Sequence, residues 1–179
     1  DEDVQARIDD LRQTVDLDSW MQEWGYMQDS LAQSLRWQIL AARQRDAIIA
    51  SVPETAIQVE LQQVFAYTET GARNAVASLN ADTPFEEVAF EYDPLTGGYL
   101  GWVPEGYLLI PELEDAAFNL PVGEYSGIIE SDIGYHIVKV LARDERPLTS
   151  DARLTLQREA LHTWLADRRE GSTIEVLID

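Results

Sequence analysis

The chain has 179 residues, 45% hydrophobic and 26% charged, a composition that sustains a packed core and differs from that of a disordered segment. It has no cysteine, which excludes a disulfide framework, thiolate metal sites and a thiol nucleophile. Its net charge of −20 argues against nucleic acid and anionic membrane surfaces as partners, because both call for a basic face.

Residues 4–15 predict a short helix, with Val4, Ile8, Leu11 and Val15 at helical spacing. Asp18 or Ser19 is expected to cap a second helix through Trp20, Met21 and Trp24, stopped by Gly25. A longer helix is predicted over residues 28–50, where Leu31, Leu35, Ile39, Ala42 and Ile49 recur every three or four residues until Pro53 ends it. Three of the five tryptophans, Trp20, Trp24 and Trp37, fall in this arm. They form either its small core or an apolar cleft for unfolded chain segments.

Residues 58–68 read as a strand with Val59, Leu61, Gln63 and Phe65 on one face. Residues 70–79 predict a helix with Ala72, Ala75, Val76 and Leu79 inward. Asp82 or Thr83 is expected to cap another, with Pro84 in its first turn and Phe85, Val88 and Ala89 inward. A loop of turn formers follows at residues 93–98, then a short helix from Pro111 through Phe118. Strands are predicted at residues 125–130 and 135–142, around a turn at 131–134. From Thr149 the pattern is helical again, with Leu154, Leu161, Trp164 and Leu165 on one face and Gly171 at its end; a strand is expected at residues 173–178. The middle of the chain is thus an α+β unit. It is also the acidic part, since residues 58–146 hold 16 of the 33 acidic residues but 4 of the 13 basic ones. That excess serves solubility, or favours basic and neutral polypeptides as clients.

Four blocks in the middle section carry a resemblance: Gly97-Gly98-Tyr99-Leu100-Gly101-Trp102-Val103, then Pro111-Glu112-Leu113-Glu114-Asp115-Ala116-Ala117-Phe118, then Pro121-Val122-Gly123-Glu124-Tyr125-Ser126, and last Gly134-Tyr135-His136-Ile137-Val138-Lys139-Val140. In this order they resemble the Gly-Gly-Asp-Leu-Gly-Trp stretch, the short helix, the Gly-Glu-hydrophobic-Ser turn and the final Gly-Tyr/Phe-His strand of parvulin-type (PpiC-type) peptidyl-prolyl isomerases. The resemblance covers about residues 58–143. The flanks resemble, more loosely, those of SurA- and PrsA-type extracytoplasmic foldases, where the two chain ends meet as a chaperone lobe.

The resemblance implies an α+β fold, a parvulin-like domain with a small antiparallel sheet surrounded by helices. Residues 58–146 form that domain, inserted between an N-terminal helical chaperone-like arm (1–57) and a C-terminal helix and strand (147–179) that pack with the arm. It also implies a foldase that binds unfolded or extended polypeptide and isomerises Xaa-Pro bonds, with no cofactor and no metal. The barrier to be lowered is about 18–20 kcal/mol and no bond is broken, so an apolar cup and polar groups around the twisting carbonyl suffice. By resemblance, His136 matches the histidine of the last strand, and Gln63 stands where the family has a second histidine in its first strand. Asp93 is the acidic candidate of the loop, and the cup is formed by Leu100, Leu109, Ile110, Leu113 and Phe118. Tyr99 stands where an aspartate is common, and Ile133 replaces a serine found shortly before the last histidine. These departures motivate a second reading, a weak or inactive isomerase domain that serves as a peptide-binding chaperone or scaffold. His162 is given a surface or packing role. The start at Asp1-Glu2-Asp3 without a methionine reads as trimmed and is compatible with an extracytoplasmic protein tethered through a removed N-terminal segment. Proline-containing or unfolded polypeptides are the expected partners.

Overall fold

The computed structural model describes residues 2–173. The strand expected at residues 173–178 lies, but for its first residue, outside the described residues. The chain divides into two compact units, one made of Asp1–Ser51 with Ala160–Asp179 and the other of Val52–Glu159.

The first unit opens with α1 (Glu2–Thr14), α2 (Leu17–Trp24) and α3 (Gln28–Ser51). Its core is aliphatic: Val4 and Ile8 of α1 meet Leu17 of α2 and Leu31 and Leu35 of α3. Asp16 is the N-cap of α2, in place of the expected Asp18 or Ser19. Its carboxylate accepts from the Ser19 amide at 3.2 Å and the Ser19 hydroxyl at 2.8 Å. Those bonds hold the Asp16 carboxyl below its ordinary pKa. The tryptophans are not the core. Trp24 and Trp37 are 65% and 66% exposed, because the buried stripe of α3 runs through Leu31 and Leu35 and leaves Trp37 off it. Near the end of α3, Ile48 is buried and Ile49, the residue expected inward, only half so.

The second unit is built from β1 (Thr55–Ala66), α4 (Glu69–Asn80), α5 (Phe85–Tyr92), β2 (Tyr99–Pro104), α6 (Pro111–Asn119), β3 (Ile129–Ser131), β4 (Gly134–Pro147) and the start of α7 (Ser150–Glu170). Its four strands lie in the order β2-β1-β4-β3, with every pair antiparallel. β1 and β4 pair along their whole length, from Thr55 opposite Pro147 to Ala66 opposite Tyr135, with one bulge at Glu60/Leu61. Strand alternation then sorts the side chains. Val64 and Ile137 pack on α4 and α5 through Ala75, Leu79, Phe85, Val88 and Ala89. Val59, Leu61, Val138 and Val140 pack on the other side, against Val103 of β2 and Leu113 and Ala117 of α6.

Several boundaries differ from the sequence expectation for identifiable reasons. β2 is an extra strand within a glycine-rich stretch, recruited to the sheet edge by the β1 backbone. β4 continues through Arg143, Asp144, Glu145 and Arg146, all exposed, so the alternation of apolar residues that marks a strand is missing there. The strand expected at residues 125–130 shrinks to β3. Ahead of β3 the chain is held by Ser126, whose N–H donates to Val138 O at 2.8 Å and whose Oγ accepts from Val138 N at 3.0 Å. Thr68 caps α4, its Oγ1 accepting from Gly71 N at 3.1 Å. Asp82 takes a left-handed φ of 61° and leaves Pro84 at the N-cap of α5 with no side-chain cap. At the end of α6, Arg143 donates to the carbonyls of Phe118 and Leu120 at 2.8 and 3.1 Å, a cation placed where helix carbonyls are unpaired.

Candidate functional site

The α6 side of the sheet is apolar through Leu61, Val138 and Val140 and becomes polar one step further along. There Gln63 of β1 sits beside His136 of β4, the two on one face because Gln63 opposes Val138 and Phe65 opposes His136. Gln63 is fixed from behind by the loop before β2. Its N–H donates to Gly98 O at 2.8 Å, and a Cβ on Gly98, at φ +68°, would stand 1.9 Å from Gln63 O. Only glycine permits that approach.

His136 is 2% exposed, yet both ring nitrogens have partners. Nδ1 lies 3.1 Å from Gln63 Oε1 and Nε2 lies 2.8 Å from Ser131 Oγ. With the amide oxygen facing the ring, the neutral imidazole carries its proton on Nδ1 and donates it to Gln63, while Nε2 accepts from the Ser131 hydroxyl. Ser131 Oγ also lies 3.1 Å from Gly134 O, so the hydroxyl has a second acceptor when Nε2 is protonated. Phe65 covers the ring edge at a centroid distance of 5.0 Å. Burial pushes the His136 pKa below its ordinary value, which keeps the ring neutral near pH 7.

Gln63 and His136 open into a cleft of about 400 Å³. Leu100 of β2, Leu113 of α6 and Ile133 of the β3–β4 turn form part of its apolar wall. Leu108, Leu109 and Ile110, between β2 and α6, form the rest, and Tyr107 and Thr155 add two hydroxyl-bearing side chains. Leu109 is 94% exposed, an apolar side chain at the cleft mouth with nothing covering it.

The structure thus brings together His136, Gln63, Leu100, Leu109, Ile110 and Leu113. Phe118 does not line this cleft. It packs against the core under α6 and borders a separate depression with Glu105, Glu114 and Asn119. Asp93 lies in a neighbouring hollow with Gln63, Tyr92 and Gly98. Its carboxylate is consumed in a turn, bonded by the Thr96 hydroxyl and by the N–H groups of Leu95 and Thr96 at 3.1 and 3.2 Å. Those bonds, the Thr96 hydroxyl first, hold its pKa below the usual carboxylate range. Ser131 is the residue that sequence reasoning passed over. Ile133 occupies the position compared with the family serine, whereas Ser131 reaches His136 because the turn at 132–133 folds β3 back onto β4. Among the described residues no group of three or more His, Asp or Glu side chains forms a metal-binding cluster.

Residues 48–142, just over half of the chain, match the family model described as Rotamase: PPIC-type PPIASE domain. A chaperone SurA from Alcanivorax borkumensis is 34% identical over 106 residues, 51% of this chain and 24% of that protein. A foldase protein PrsA from Halalkalibacterium halodurans is 34% identical over 131 residues, 70% of this chain and 37% of that protein. The chain therefore spans between about a fifth and a half of the length of curated relatives it matches. Among solved structures, the peptidylprolyl isomerase PrsA from Bacillus cereus superposes with a TM-score of 0.64 at 22% identity, over 99% of this chain and 77% of that one, a likeness of fold.

Proposed function

The chain belongs to the PPIC-type PPIase (rotamase) family, and on that premise we propose that it is a foldase that binds extended polypeptide and catalyses cis/trans isomerisation of Xaa-Pro bonds. The observation that carries the reading is the neutral Gln63–His136–Ser131 array at the floor of an apolar cleft. A proline ring is accommodated against Leu100, Leu109, Ile110 and Leu113. Removal of water from the imide favours the twisted state, whose dipole is smaller than that of the planar amide. His136 and Gln63 supply polar contacts that adjust without gaining charge. Asp93 has no such role in this reading, and Phe118 packs α6 against the core.

Of the flanks, residues 1–57 and 147–179, the part that forms the first unit, Asp1–Ser51 with Ala160–Asp179, is assigned to a chaperone-like lobe for unfolded clients, and residues 52–57 and 147–159 go with the isomerase unit. The exposed Trp24, Met27 and Trp37 support that assignment. The resemblance to SurA- and PrsA-type foldases supports a location outside the cytoplasm. No helix among the described residues is long and apolar enough to cross a membrane. The test is NMR exchange spectroscopy on short Ala-, Lys- and Glu-Pro peptides. Catalysed exchange that is lost in His136→Ala supports the reading, and no catalysed exchange across the panel ends it.

A further inference from the structure

The cleft wall between β2 and α6 is held by side chains that the isomerase reading leaves unused. Glu114 Oε1, on α6, accepts from the main-chain N–H groups of Gly106, Tyr107 and Leu108 at 2.6, 3.1 and 3.4 Å. Among the described residues these three amides make no main-chain hydrogen bond, so one carboxylate oxygen organises the whole turn. From the other side, the Tyr107 hydroxyl donates to Asp151 Oδ2 at 2.7 Å, in the first turn of α7. One turn on, Thr155 lines the cleft itself. Gly106, at φ +85°, lies so near that a Cβ there would stand 2.9 Å from Leu156 Cδ2. Asp151, Thr155 and Leu156 all lie beyond residue 142, where the family match ends.

We propose that Glu114 and Asp151 are positioning residues that hold residues 106–110 as the substrate-facing wall, so that the first two turns of α7 help set the affinity for prolyl peptide. The proposal rests on the isomerase reading for the identity of the ligand. Neither carboxylate touches the peptide. Each acts through the segment that presents Tyr107, Leu108, Leu109 and Ile110.

The experiment titrates an Ala-Pro peptide into the full chain by NMR and reads two quantities, the dissociation constant and the cis/trans exchange rate of bound peptide. Glu114→Ala is expected to weaken binding about five- to tenfold and Asp151→Ala about threefold, with the bound exchange rate changed by less than about twofold. Glu114→Gln, which keeps an acceptor oxygen, is expected to return the affinity to within about twofold of the wild type. Tyr107→Phe removes only the hydroxyl and is expected to match Asp151→Ala, which decides the α7 contact even where the aspartate variant is unstable. Amide hydrogen exchange at Gly106, Tyr107 and Leu108 accelerates in Glu114→Ala, while Val138 and Val140 in the sheet are unaffected. Wild-type affinity in both alanine variants overturns the proposal, as does equal weakening in Glu114→Ala and Glu114→Gln. A wild type that binds peptide without catalysing exchange removes the isomerase reading and leaves this one to be decided by the affinities. A wild type that binds no peptide removes both.

Discussion

Gln63 Oε1 stands 3.1 Å from His136 Nδ1 although the two residues are not opposite each other in the sheet. Gln63 pairs with Val138 and His136 with Phe65, so the contact runs diagonally across the β1–β4 ladder. A diagonal contact needs a long side chain, since directly opposed Cβ atoms approach more closely than diagonal ones. Gln63→Asn is therefore expected to break the bond and slow catalysed exchange about three- to tenfold, whereas Gln63→His, with a ring nitrogen in reach, keeps it within about threefold of the wild type. Exchange spectroscopy on a single Ala-Pro peptide gives both numbers. Full activity in Gln63→Asn sinks the idea that this bond orients the ring.

The second partner of His136 satisfies its other ring nitrogen, while Gln63 sets the tautomer. Ser131 Oγ lies 2.8 Å from Nε2, and its removal leaves the accepting Nε2 without a hydrogen-bond donor in a buried site. Ser131→Ala is expected to retain the Nδ1–H form through Gln63, broaden the imidazole signals and slow exchange about three- to tenfold. Long-range 15N–1H correlation spectra report the tautomer directly. A wild-type ring that carries its proton on Nε2 contradicts the assignment.

Acid should destabilise the second unit through the same residue. Burial depresses the His136 pKa below 6.5, and the groups facing its ring, Gln63, Ser131 and Phe65, are all uncharged. The unfolded chain therefore takes up the proton first as pH falls. The contribution is fully present above about pH 6.5, declines as pH falls through the interval down to the folded-state value, and is level below that. Urea midpoints measured from pH 8 to pH 5 should fall in the wild type and fall less in His136→Asn. Parallel curves for the two proteins rule the effect out, and the difference between them removes carboxylate titration common to both.

The elements that sequence made plain are those with strong local patterning: the 31–35 stripe of α3, Pro111 at the start of α6, and the shared parity of Leu61, Gln63 and Phe65. Leu100, Leu109, Ile110 and Leu113, which the family resemblance implies for the cup, meet in one cleft. What stayed hidden depends on tertiary geometry. β2 is a strand because β1 offers it an edge, and Ser131 meets His136 only once the β3–β4 turn has closed. The family resemblance also implies Phe118 in the cup. Phe118 instead packs against the core that includes Leu113 and stays out of the cleft.

Gly98 tests how tightly the site depends on its loop. Its positive φ disfavours any L side chain, and a Cβ at 1.9 Å from Gln63 O forces one backbone away from the other. Gly98→Ala is expected to cost about 2–4 kcal/mol. It should also shift the Gln63 and His136 resonances together, because Gln63 N donates to Gly98 O. Denaturant unfolding and a 15N spectrum measure the two effects. A variant of wild-type stability with unmoved His136 signals contradicts the close approach.

The exposed aromatics of the first unit separate stability from function. Trp24 and Trp37 add little to a core made by Val4, Ile8, Leu17, Leu31 and Leu35. Ala at either position should change unfolding free energy by less than about 0.5 kcal/mol, as for surface substitutions in general. If the arm receives unfolded chain segments, the same substitutions remove apolar contact area. The double variant should then suppress aggregation of an unfolded client at least about twofold less well than the wild type. Prolyl-peptide exchange should not change, since neither tryptophan lines the cleft. A double variant that protects the client as well as the wild type would assign the tryptophans no part in client binding. One that loses stability instead would show that they do belong to the core of the unit.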